Sequence, residues 1–148
     1  MSDLLVGTRD LSRFLMAQAS SYDSALAELR AGRKQSHWIW YVFPQLAGLG
    51  RSAASEYYGL SGMAEAVAYL AHPVLGARLR ESVTAMLAHA SLSADRILGD
   101  VDAMKFRSCL TLFNAAAPGE PLFAAALDTF FGGVPDQRTL QLLGDHPP

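Results

Sequence analysis

The sequence has one cysteine, few charges and no long apolar run, and each shortage excludes a class of protein. Cys109 alone cannot form an intramolecular disulfide, and one cysteine with four histidines (His37, His72, His89, His146) offers no metal-ligand spacing. Only 18% of the 148 residues are charged and the formal net charge is −2, which argues against a broad grip on DNA or RNA phosphates. A membrane-spanning helix needs about 20 apolar residues. The longest uncharged stretch, Gln35 to Gly50, is shorter and holds His37, Pro44 and Gln45. The first ten residues carry no basic region followed by an apolar one, so no signal peptide is expected. The G-x-S-x-G elbow of serine hydrolases and the lysine-bearing phosphate loop are missing too. These absences predict a soluble, cytoplasmic protein with no nucleic-acid and no membrane partner. Nothing in the chain calls for a metal or a cofactor.

What is present is apolar: 51% of the residues, enough to bury roughly two thirds of the unfolded surface without a covalent clamp. No linker or repeat divides the chain, and its periodicity is helical. Asp10 or Ser12 caps a first helix carrying Leu11, Phe14, Leu15 and Gln18. The Ser20-Ser21 pair is expected to interrupt it, with Asp23 capping a second helix, Ser24 to Arg30, closed by Gly32. Ser61 caps a helix that His72-Pro73 stops. From Val74 to His89, Leu75, Leu79, Val83, Met86 and Leu87 form one stripe. Ser93 caps a short turn ending at Gly99. Asp100 or Asp102 opens a helix over Ala103 to Ala117 with Phe106, Cys109, Leu110 and Phe113 inward. Pro121 starts the next helix, Gly132-Gly133 ends it, and Asp136 caps the last. The sequence therefore predicts a mainly α, compact, multihelical single domain over 1–148, frayed at 1–8 and 144–148. One stretch competes: Ser36 to Phe43 is rich in aromatic and β-branched residues and reads as a short extended segment or as a helix. The helix is preferred, with Lys34, His37, Trp38 and Tyr41 on one face.

That segment is also the leading candidate for chemistry. Indole N–H groups want acceptors and favour the edge of a cavity, a histidine such as His37 is the residue type suited to exchanging a proton in a site, and Lys34 can hold an anion. The competing reading is a core aromatic cluster with a satisfied histidine. On the later helix, Lys105 lies at the edge of the buried face and needs a charged partner or a ligand if enclosed. Otherwise Asp102 caps the helix while Lys105 and Arg107 are solvated. The loop Gly48-Leu-Gly-Arg-Ser52 is either a plain turn or an anion cradle. Gln18 and Tyr22, at i and i+4, line the same cavity or face solvent. Cys109 reads as a buried small hydrophobe. His72 and His89 read as structural or solvated.

The run Leu26 to Gly50, the segments Tyr69-Leu-Ala-His-Pro-Val-Leu-Gly76 and Asp102-Ala-Met-Lys-Phe-Arg-Ser108, Thr111-Leu-Phe113 and Tyr57-Tyr58 resemble the bacterial domain-of-unknown-function family 1810 along nearly the whole chain. The resemblance implies a small, stand-alone, mainly helical protein without an established activity. Some members carry a calpastatin label, but this compact chain has no inhibitory calpastatin repeat. The family's distinctive polar positions map to Lys34, His37, Gln45, Lys105 and Ser108, with Trp38 and Trp40 beside them. By theme alone, the resemblance associates the chain with proteins handling NAD and ADP-ribose. The expectation is a pocket between 34–45 and 102–113 for a flat, anionic small molecule such as a nucleotide or ADP-ribose-like compound. Lys34 and Lys105 would meet phosphate, Trp38 or Trp40 would stack on a base, and His37 would serve as acid or base in any turnover, such as hydrolysis of an N-glycosidic bond. The rival expectation is a non-enzymatic interaction or self-associating module presenting Trp38, Trp40 or Tyr57-Tyr58 on a flat surface.

Overall fold

Helical periodicity in this sequence produces helices throughout. The computed structural model describes residues 11–144, and among these it shows nine helices and no strand. They are α1 (Ser12–Arg30), α2 (Ile39–Val42), α3 (Ala53–Tyr58), α4 (Met63–Ala71), α5 (Leu75–Leu87), α6 (Ala94–Leu98), α7 (Asp100–Ala116), α8 (Pro121–Phe131) and α9 (Gln137–Gly144). Expectations for Asp10 as a cap and for fraying at 1–8 and 145–148 fall outside the described residues. Gly144 is the last residue of α9.

The central element is α7, against which α4, α6, α8 and α9 pack. Every residue from Ser108 to Phe113 is buried, so this stretch is enclosed on all sides, as a helix in the middle of a core must be. Its two hydroxyls are satisfied within the helix: Ser108 donates to the Met104 carbonyl at 3.2 Å and Thr111 to the Arg107 carbonyl at 2.8 Å. Helix α7 begins at Asp100, one turn earlier than the spacing suggested. Asp100 and Asp102 both lie in its first turn, where the positive end of the helix dipole favours them.

Helix α1 corrects the sequence reading. Ser20-Ser21 does not break it, because Phe14, Gln18, Tyr22, Ala25 and Leu29 form one unbroken buried face across the pair. Ser21 turns its hydroxyl onto the Ala17 carbonyl at 2.7 Å. Asp23 is therefore mid-helix, and the N-cap is Leu11, without a side-chain bond. The helix ends as its glycine predicts. Gly32 takes φ +76°, its N–H bonds the Leu29 carbonyl, and the Arg33 N–H reaches back to that of Glu28.

Caps at Ser93 and Asp136 form as expected: each side chain accepts a backbone N–H three residues on, from Arg96 and Thr139. At α4 the cap position is Gly62, not Ser61. The buried Glu65 instead accepts the Ser61 N–H at 2.9 Å and pairs with Arg13 at 3.3 Å. His72 and Pro73 separate α4 from α5, and the His72 Nδ1 accepts the N–H groups of Val74 and Leu75. His89 Nε2 lies 2.8 Å from the Arg30 carbonyl. Both histidines are structural.

Helix α5 crosses α4 so closely that a Cβ on Gly76 would stand 2.1 Å from the Leu70 carbonyl oxygen. Replacing a helical glycine by alanine ordinarily stabilises by up to about 1 kcal/mol. Here Gly76→Ala is expected to destabilise by about 1–3 kcal/mol through overpacking, which urea denaturation will show as a lower midpoint at constant slope.

Candidate functional site

The aromatic segment after α1 is mostly irregular, which corrects the preferred helical reading. Only Ile39–Val42 is helical, and Lys34 to Trp38 passes over the end of α1 as extended chain and bend. Its polar groups find partners outside it. The Lys34 N–H donates to the Ile97 carbonyl at 2.7 Å. Glu28 Oε1 accepts the N–H groups of Gln35 and Ser36 and the indole N–H of Trp38, at 2.7, 3.0 and 2.9 Å. The Ser36 hydroxyl donates to Oε2. Desolvation opposes the Glu28 charge, but these four donors outweigh it and draw the carboxyl down to about 2. The carbonyl of Tyr41 is held from below by the buried Gln18, whose Nε2 donates to it at 2.7 Å. Gln18 and Tyr22 thus serve the core and do not face a cavity or solvent.

Next to this segment two lysines share one aspartate. Lys34 Nζ lies 2.9 Å from Asp102 Oδ2, and Lys105 Nζ lies 3.2 Å from Oδ1. Each ammonium also faces an indole: Lys34 is 5.2 Å from the Trp38 ring centroid and Lys105 is 3.8 Å from that of Trp40. Lys34 is 8% exposed and Trp38 1%, so this half is sealed. Lys105 and Trp40 face outward.

They open onto a cleft of about 390 Å³. One wall is Trp40, Gln45, Leu49 and Gly50; the second is Val101, Met104, Lys105, Arg107 and Ser108 of α7; the third is Asp136 and Arg138 at the start of α9. Three cations stand against one carboxylate, in a chain of net charge −2. Long-range bonds join the walls. Arg107 Nε donates to the Val134 carbonyl at 2.8 Å, Arg138 Nη2 to that of Gly48 at 3.5 Å, and the Asp136 N–H to Thr111 Oγ1 at 2.9 Å. Asp136 Oδ2 accepts both the N–H and the hydroxyl of Thr139.

Of the expected site residues, Trp40, Gln45, Lys105 and Ser108 line the cleft. Lys34 lies behind it, neutralised by Asp102. Trp38 is enclosed, with its N–H committed to Glu28, and so offers no face to a ligand. His37 is exposed and outside the cleft lining. Asp102 bridges two lysines instead of capping α7. Leu49 and Gly50 from the glycine loop do reach the cleft, while Ser52 caps α3 through the Ser55 N–H. Arg138 and Asp136 were missed as site residues. Asp136 was legible only as a cap, and no local pattern brings Arg138 to Gly48, ninety positions away. Burial pushes the Cys109 thiol well up, consistent with an inert core residue. Among the described residues no three His, Cys, Asp or Glu side chains gather to hold a metal, and no helix is long and apolar enough to cross a membrane.

Fold and cleft together define a mainly α protein with a cationic, indole-edged cavity. The chain belongs to the family described as protein of unknown function (DUF1810), whose model matches residues 8–143. It is similar to the conserved hypothetical protein Rv1873 from Mycobacterium tuberculosis, known from a crystal structure. The two are 46% identical with a TM-score of 0.90, over 91% of this chain and 96% of that one. None of the curated proteins compared matches the chain.

Three substitutions test this geometry. Asp102→Asn leaves Lys34 buried without its counter-ion and should cost about 3 kcal/mol, the lower end for breaking a buried pair because Asp102 keeps 18% exposure. Lys105→Ala, at the open end, should cost less. Glu28→Gln should lower the stability at pH 7 by about 1–3 kcal/mol through its charge-assisted bonds. Because the folded carboxyl lies below its ordinary value of 4.5, that contribution is complete above this value and is lost as pH falls towards 2. The melting curves of wild type and Glu28→Gln should therefore converge between pH 4.5 and about pH 2, the interval set by those two values.

Proposed function

We propose that the cleft binds a planar, anionic small molecule of the nucleotide or ADP-ribose kind. The observation that carries this reading is the convergence of Lys105, Arg107 and Arg138 with the half-buried indole of Trp40 on one cavity. Its volume falls in the range of small-molecule sites, which runs from about 300 to 1,000 Å³. Lys105 has charge to spare, because its aspartate is already paired with Lys34 at the shorter distance. It also covers one face of Trp40, so a bound ring uses the opposite face or the indole edge. Arginine forks suit phosphate oxygens, and the apolar surface of Leu49, Val101 and Met104 suits a ring or a sugar. A turnover step would need a proton-transfer group at the ligand. His37 lies outside the cleft, and Asp136, the carboxylate in its lining, has its Oδ2 committed to the N–H and hydroxyl of Thr139, so the proposal is one of binding. A cytoplasmic site of action fits such a ligand and the single thiol.

A second reading has one observation in its favour. Val101 and Met104, 62% and 69% exposed, stand at the lip of the cleft and would suit a protein partner. The aromatic residues do not add to it: Trp38 is buried, Trp40 belongs to the cleft, and only Tyr57 of the Tyr57-Tyr58 pair is largely exposed.

The test is a thermal-shift and calorimetric titration with NAD, ADP-ribose, mononucleotides and sugar phosphates. A ligand at 100 times its Kd stabilises by about 2.7 kcal/mol, a rise of several degrees. Lys105→Ala and Arg138→Ala should each weaken binding about tenfold or more, as loss of a charge-assisted contact requires. His37→Ala should leave it unchanged. Absence of binding by every compound would overturn the proposal and favour the partner surface.

A further inference from the structure

Gln45 is 8% exposed, and its backbone is fixed on both sides. Its carbonyl accepts the Leu60 N–H at 2.9 Å, and the next N–H but one, from Ala47, donates to the Leu60 carbonyl at 2.8 Å. This pairing builds the isolated parallel bridge between Leu46 and Leu60 and leaves the glutamine little freedom to move away. A carboxamide carries two donors and two acceptor lone pairs, and burying it unpaired is costly. The other buried glutamine obeys that rule: Gln18 bonds Tyr41, Tyr69 and Arg78. Gln45 does not, for among the described residues no hydrogen bond reaches its side chain. Yet among the described residues no fully enclosed side-chain nitrogen or oxygen lacks a partner. The Gln45 carboxamide therefore touches open space, and the space Gln45 lines is the cleft.

We infer that the Gln45 carboxamide is the specificity-determining group of the cleft, and that it reads the hydrogen-bonding edge of a nucleobase, so that the ligands are nucleoside phosphates and not plain aryl or sugar phosphates. This rests on the cleft binding a planar anion at all. The cations cannot make that distinction, because they meet phosphate alike in all three classes. Trp40 cannot make it either: its face stacks on any aromatic ring, and its indole N–H is a donor without an adjoining acceptor. A carboxamide can: it presents a donor beside an acceptor, and each nucleobase carries the complementary pair on an edge. Ser108, the other neutral polar side chain of the lining, has already given its hydroxyl proton to the Met104 carbonyl. An aryl phosphate entering the cleft would displace water from Gln45 and return nothing, which is how a site built for hydrogen bonds rejects an analogue lacking them.

The experiment compares AMP, GMP, CMP and UMP with 1-naphthyl phosphate and ribose 5-phosphate by calorimetry, on wild type and on Gln45→Leu. The expected result is at least one nucleotide binding wild type tenfold or more tightly than either control. Gln45→Leu should then bring that nucleotide to the level of 1-naphthyl phosphate while the naphthyl compound keeps its own Kd. If wild type binds 1-naphthyl phosphate as well as every nucleotide, the role of Gln45 is overturned and the anion cleft stands. Equal weakening of both ligands in Gln45→Leu also overturns it, as the signature of a damaged cavity. No binding by any probe removes both. The wild-type comparison can overturn the role of Gln45 even if the leucine variant fails to fold. Gln45→Glu, which keeps the size of the side chain but loses its donors, then serves as the second variant, expected to lose the nucleotide preference.

Discussion

The Glu28 carboxylate is the point on which the arrangement of the cleft-bearing half of the molecule depends. The chain after α1 must cross the helix end as an irregular, aromatic strip, and irregular backbone exposes donors that helices would have satisfied internally. Glu28 sits in the last turn of α1, where the left-handed Gly32 turns the chain back over it, and accepts two of those N–H groups together with two side-chain donors of the strip. One of them is the indole of Trp38. Fixing Trp38 fixes the start of α2, and with it the outward direction of Trp40 two residues on. A negative charge is well suited to this work, because bonds to a carboxylate are roughly twice as strong as neutral ones. Glutamine in its place would present two donors of its own to a cluster of donors.

Behind the cleft, the Lys34–Asp102–Lys105 arrangement solves a related problem of charge. A cation at the edge of a core needs a counter-ion to remain there, but a single strong pair would neutralise it and spoil it for a ligand. Two lysines on one carboxylate leave an excess positive charge. The geometry assigns the excess to Lys105, since Lys34 is closer to Asp102 and more deeply enclosed. The two indoles complete the separation: Trp38 covers the sealed ammonium and Trp40 the open one. Lys34 thus acts on the cleft only through Asp102, as a positioning residue.

Much of the fold was legible because it is governed by local rules. The caps at Ser93 and Asp136, the stop at His72-Pro73, the closure at Gly32 and Gly132 and the inward face of α7 all follow from spacing and residue type. The resemblance segments have structural reasons as well: His72 caps α5, and Gly76 permits the close crossing of α4 and α5. Ser20-Ser21 carries a turn signal, but the buried period running through the pair overrides it. The aromatic segment was ambiguous because its conformation is decided by Glu28, Gln18 and Ile97, and none of these contacts leaves a periodic trace within the segment. The site was legible in part for the same reason. Trp40, Gln45, Lys105 and Ser108 stand out by residue type in marked motifs. Arg138 belongs to the cleft only because α9 folds back on the Gly48 loop.

That folding back bears on what the cleft can do. Its walls come from three stretches distant in sequence, and polar bonds tie them in pairs: Thr111 to Asp136, Arg107 to Val134 and Arg138 to Gly48. Two of these bonds use the same arginines that face the cavity. Each guanidinium is therefore anchored by one N–H to a carbonyl while its other donors remain available, which removes in advance part of the side-chain entropy a ligand would otherwise have to freeze. Lys105 is held likewise by Asp102 and Trp40, and Gln45 by its backbone pairing with Leu60. The rigidity of these groups is of use to a molecule that enters, and that is the physical ground for reading the cleft as a binding site and not as a gap in packing.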